Sequence, residues 1–118
     1  MSTYELAITL LFVSAPFYPE NISVSVEETI SSHILVVEFE TIANSNQESF
    51  ELNICTVSDS CEENILTKTV DVTEDKTYWI HRVDVGFHFE PGVYNISVRA
   101  EAYGKYSEYS ESTFEVCK

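Results

Sequence analysis

The chain is short of the residues that mark many functional classes. Only three glycines and three prolines occur in 118 residues, which excludes collagen-like and low-complexity segments and leaves no Gly-rich loop to grip a phosphate. Cations are scarce as well: six Lys and Arg stand against 20 Asp and Glu, a formal net charge of −14. With no basic cluster to neutralise phosphates, nucleic acid is excluded as a partner. The longest apolar run, Leu6 to Val13, falls well short of the roughly 20 residues a membrane-spanning helix needs, so no membrane insertion is expected. No GxSxG elbow or HExxH helix is present, and His33, His81 and His88 do not form a close pair at helical spacing. The chain is therefore read as non-catalytic, with no metal and no cofactor.

What remains is a folding composition. The 44% apolar and 13% aromatic content suffices for one hydrophobic core in a single domain. The acid is spread along the chain, as expected of a soluble surface that could also attract a basic partner. Residues 1–15 read as a secretory leader: an apolar run ends in the small residues Ser14 and Ala15, placing a cleavage after Ala15 and the domain at 16–118. Two Asn-Ile-Ser triplets make Asn21 and Asn95 candidate glycosylation sites. Cys55 and Cys61 are close enough in sequence to staple a hairpin or short loop, a ring worth about 2 kcal/mol in an oxidising compartment. Cys117 is then the odd cysteine, left free, linked to another chain, or linked to a neighbouring domain. Together these features point to an extracellular location.

Along the chain the dominant pattern is alternation with period two, rich in Val, Ile, Tyr, Phe and Thr, and no helical stripe is found. The strand NISVSVEE (21–28) places Ile22, Val24 and Val26 on one face, and HILVVEFET (33–41) turns Leu35, Val37 and Phe39 inward. After the polar loop IANSNQES, the strand FELNICTV (50–57) alternates through Phe50, Leu52 and Ile54. ILTKTVDV (65–72) follows the loop SDSCEEN, and KTYWIHRVDV (76–85) is expected to turn Tyr78, Ile80, Val83 and Val85 inward around an irregularity. Trp79 falls on the opposite parity of that strand, packed in the core or under a loop, or else anchoring a partner. Beyond a Pro-Gly turn, Tyr94, Ile96, Val98 and Ala100 form the cleanest alternation, and a last strand is expected over 107–116. Seven strands with short turns predict an all-β, seven-stranded antiparallel β-sandwich.

The stretch FEPGVYNISVRAEAYGKYSEYS, within a span of roughly Pro19 to Val116, resembles a fibronectin type III domain of the immunoglobulin-like class. The resemblance implies that Tyr94 fills the tyrosine-corner position, with its hydroxyl bonded back to the preceding turn. Where that family usually carries a core tryptophan on its second strand, this chain has Phe39, and the Cys55 and Cys61 pair is no standard feature of it. YSEYS further resembles the Trp-Ser-x-Trp-Ser box of class I cytokine receptors, with both tryptophans replaced by Tyr106 and Tyr109. By that likeness Arg99, on the outward parity of the adjacent strand, stacks between the two rings. The implied function is a non-catalytic module for protein partners, with Tyr106, Tyr109, Arg99 and Trp79 as the candidate surface. The alternative is a spacer domain with no ligand of its own, joined to a neighbour through Cys117.

Overall fold

A computed structural model describes residues 15–42, 47–74 and 76–117. Apart from Ala15, the leader expected at 1–15 lies outside them, as does the middle of the loop IANSNQES. The strands are β1 (Glu20–Glu28), β2 (His33–Glu40), β3 (Ser49–Thr56), β4 (Asn64–Asp71), β5 (Tyr78–Asp84), β6 (Gly92–Ala102), β7 (Lys105–Tyr106) and β8 (Ser110–Val116). A single 3-10 turn, Val57–Asp59, follows β3. All pairings are antiparallel: β1, β2 and β5 make one sheet, while β4, β3 and β6 make the other, with β7 and β8 both on the far side of β6.

The sheets meet through the alternating residues of their central strands. Leu35, Val37 and Phe39 of β2 are wholly buried, and so are Phe50 of β3 and Ile96, Val98 and Ala100 of β6. Phe39 and Phe50 meet edge to face across the interface, with ring centroids 4.8 Å apart. Ile22, Val24 and Val26 of β1 pack against this core but stay partly exposed, as edge-strand residues do.

Two expectations are corrected. Over the first half of β5 the inward face is the opposite one: Trp79 and His81 face the core, whereas Tyr78 and Ile80 are about half exposed; Val83, and Val85 just beyond the strand, are buried as expected. Pairing with β2 runs without a break from Ile34 opposite Asp84 to Glu40 opposite Tyr78, so there is no irregularity to switch the faces. Burying Trp79 removes the most apolar area from water, and its indole N–H keeps a partner by donating to the Thr41 hydroxyl at 2.9 Å. Trp79 stands opposite Phe39 in the register, so the indole expected of the second strand in this fold is supplied by its neighbour. It therefore leaves the candidate partner surface.

The last strand starts at Ser110, three residues later than expected, and the two-residue β7 pairs with β6 ahead of it, giving eight strands among the described residues in place of seven within the antiparallel sandwich that was expected. Ser107 sits in the gap between β7 and β8, where its hydroxyl accepts the Ala100 N–H at 2.9 Å and its own N–H donates to the Ala100 carbonyl at 2.9 Å. One serine thus replaces a ladder step, and the chain swings outward over the next two residues. Ser110 closes the gap by donating its hydroxyl to the Pro19 carbonyl, tying β8 to the lead-in of β1.

Candidate partner-binding surface

Outward-facing residues of β3, β4 and β6, with the β7–β8 crossing, build a continuous polar ladder. Register places Glu51 of β3 opposite Arg99 of β6 and Asn53 opposite Thr67 of β4. The Arg99 guanidinium donates to Glu51 at 3.0 Å, and its carbon lies 3.8 Å from the Tyr106 ring centroid and 4.7 Å from that of Tyr109. Arg99 is therefore sandwiched between two rings and anchored from below by a carboxylate.

Glu51 gathers the rest. It accepts the Asn53 amide at 2.8 Å and the Tyr109 hydroxyl at 2.9 Å. Asn53 also donates to the Tyr109 oxygen at 3.1 Å and accepts the Thr67 hydroxyl at 2.7 Å. Burial pushes the Glu51 carboxyl up, but the hydrogen bonds from Asn53, Arg99 and Tyr109, with the Arg99 charge, outweigh it and hold the group below the usual carboxylate range. Burial, with the Glu51 hydrogen bond and charge, raises the Tyr109 hydroxyl. The ladder is thus locked in one charge state near neutrality, while Tyr106 and Tyr109 remain 49% and 42% exposed.

The turn above the ridge is fixed by carboxylates. Tyr103 and Gly104 both adopt left-handed backbone, at φ 52° and 76°, the pattern of a two-residue primed hairpin turn between β6 and β7. Their N–H groups donate to Glu48 at 2.7 Å and Glu101 at 3.0 Å. At the other end of β6 the buried Tyr94 donates its hydroxyl to the Glu90 carbonyl at 2.6 Å, which is the tyrosine-corner contact.

The remaining sequence candidates are dispersed. Asn21 lies exposed at the irregular start of β1, donating to Glu40 at 2.5 Å. Asn95 faces outward on β6, half-buried in a shallow polar groove shared with Cys61, Tyr109 and Glu111. Cys55 and Cys61 form a disulfide, and Cys117 is an exposed free thiol beyond β8. Among the described residues no group of three or more His, Cys, Asp or Glu is placed to hold a metal ion, and no helix is long and apolar enough to cross a membrane. The hydrogen-bonded support of Glu51, Asn53 and Thr67 was missed by the sequence reading. In the sequence its only trace is the polar character of Glu51, Asn53 and Thr67 at positions between the apolar ones.

These strand pairings and the tyrosine corner define a fibronectin type III-like β-sandwich, and two solved structures agree. The crystal structure of FN3tt superposes with a TM-score of 0.56 at 13% identity, covering 89% of this chain and 98% of that one. A computer-based redesign of a β-sandwich protein gives 0.51 at 21% identity, covering 84% and 93%. No protein-family model and no curated protein matches the chain.

Proposed function

We propose that the chain is a non-catalytic protein-binding domain of an extracellular protein, and that Tyr106, Arg99 and Tyr109 form its recognition ridge. The observation that carries this reading is the ring–guanidinium–ring stack standing half-exposed on a hydrogen-bonded sheet face. Rigid aromatic anchors beside an arginine lose little conformational freedom on binding and are the side chains most enriched at binding hot spots. The Cys55–Cys61 disulfide supports an oxidising compartment, and glycans on Asn21 and Asn95 are proposed with it. A glycan on Asn95 would crowd the groove that it shares with Cys61 and Tyr109 and so narrow access to the ridge from the Tyr109 side.

The test is a binding screen of the intact domain against recombinant ectodomains, followed by Tyr106→Ala/Tyr109→Ala on any partner found. A loss of about tenfold or more in affinity, exceeding what the change in melting temperature explains, supports the ridge. Unchanged affinity with a lowered melting temperature makes it purely structural. The exposed thiol of Cys117 favours the second reading, a covalently linked spacer, and mass spectrometry of the secreted, non-reduced protein separates a Cys117 adduct from a free monomer.

A further inference from the structure

At the opposite end of β6 from the ridge, about 20 Å away at the usual rise per strand residue, lies a groove of about 610 Å³. Val57, Ile65, Phe87 and Val93 line it and are each 40–44% exposed. Phe89 and Tyr94 form its buried floor. Ile30, at the tip of the β1–β2 turn, is fully exposed at the same pole, where His88 joins that turn to the groove's loop through the Thr29 carbonyl at 2.9 Å. These aliphatic and aromatic side chains are left open to water together at one pole.

Both walls are fixed before anything binds. On one side the Cys55–Cys61 disulfide closes a ring around residues 56–60. Within it the Ser60 N–H donates to Val57 at 3.0 Å and the Cys61 N–H to Thr56 at 3.1 Å. On the other side His33 holds the 87–89 segment twice: its N–H donates to the Phe87 carbonyl at 2.9 Å, and its Nδ1 accepts the Phe89 N–H at 2.8 Å. The disulfide thus rigidifies a groove wall, which gives this bridge a use beyond stability.

The one charged residue that lines the groove is acidic. Glu90 lines it, Glu62 and Glu63 are exposed just ahead of Ile65, and no Lys or Arg is among the lining residues. We propose that this groove docks a basic polypeptide segment that inserts an apolar side chain between Phe87 and Val57 and sets its cations against Glu90, Glu62 and Glu63. The acidity that repels phosphate and a second copy of the chain alike favours this occupant, in encounter rate and in selectivity. The proposal is independent of the tyrosine ridge.

Two synthetic amphipathic peptides, one of lysine and leucine and one of glutamate and leucine, test it on the disulfide-intact chain by amide NMR. The lysine peptide is expected to shift the amides of 56–58, 87–90, 92 and 93, to bind more weakly as salt is raised, and to lose about tenfold in affinity with Phe87→Ala or Ile65→Ser. The glutamate peptide is expected not to bind. Equal binding of both peptides, shifts confined to other surfaces, or affinity unchanged in both variants would overturn the proposal. So would concentration-dependent dimerisation abolished by Phe87→Ala, which assigns the groove to a second copy, or capture on zwitterionic vesicles lost in the same variants, which assigns it to lipid. Should Phe87→Ala fail to fold, Ile65→Ser and Val57→Asn carry the comparison.

Discussion

Replacing Ser107 by alanine removes one hydroxyl and orphans one amide. The Ala100 residue is wholly buried and Ser107 is 9% exposed, and the Ala100 N–H has the Ser107 hydroxyl as its acceptor at 2.9 Å. A buried donor stripped of its partner costs about 1–3 kcal/mol, and the lost bond from the same hydroxyl to the Glu108 carbonyl at 2.8 Å adds a smaller share. A total near 2 kcal/mol lowers the melting temperature of a domain this size by about 8–16 °C. The assay is urea unfolding followed by tryptophan fluorescence, with Ser107→Thr as the control that keeps the hydroxyl. Hydrogen exchange at Ala100 should accelerate in the alanine variant while the central β2 and β3 amides keep their rank. A loss under about 0.5 kcal/mol, or equal losses in the alanine and threonine variants, would refute the claim that this side chain replaces a ladder bond.

Trp79→Ala should cost about 3–5 kcal/mol by urea unfolding, since it empties the space beside Phe39 and Phe50; a loss below about 1 kcal/mol would return the indole to the surface. Tyr103→Asn should stabilise the domain by up to about 1 kcal/mol, because a non-glycine residue at φ 52° bears a steric cost that asparagine tolerates better; a lowered melting temperature would count against the turn assignment. Burial, together with the Lys76 charge, holds the His81 pKa below its ordinary 6.5. The unfolded chain therefore takes up the proton first. This contribution to stability is whole above about pH 6.5 and falls away as pH drops toward the lower folded value, so His81→Phe should flatten the acid side of the stability curve. Lys68 sits on edge strand β4 at the inward parity, opposite the buried Leu52, and its charge is felt by Asp84 on edge strand β5. It guards an open side of the sandwich, and Lys68→Val should give concentration-dependent association in sedimentation, whereas a strictly monomeric variant would remove that role.

What could be read from the sequence depended on how one-sided each strand is. β2, β3 and β6 lie inside their sheets with one face wholly dry, so their alternation named the core residues directly. β5 is an edge strand carrying Tyr78, Trp79 and Ile80 in succession, apolar on both parities, and a histidine at one of the inward positions. Pattern alone could not rank its faces; area could, because the indole has more to gain from burial than tyrosine, whose hydroxyl stays in reach of Glu38 at the surface. The break at Ser107 was hidden for a different reason. A side-chain hydroxyl standing in for a backbone group leaves the polar-apolar pattern unchanged.

The ridge divides in the same way. Arg99, Tyr106 and Tyr109 are close in sequence, so parity and one hairpin turn sufficed to bring them together. Glu51 lies 48 residues from its arginine, and only the order β4, β3, β6 makes them neighbours. Physical chemistry still demands such a residue. Arg99 is the single cation at the outward positions of β6, its side chain is only 24% exposed, and two tyrosine faces recover only part of the hydration it gives up. A carboxylate had to stand in register with it. In a chain with 20 acids the open question was which strand would supply one, and that was decided by topology.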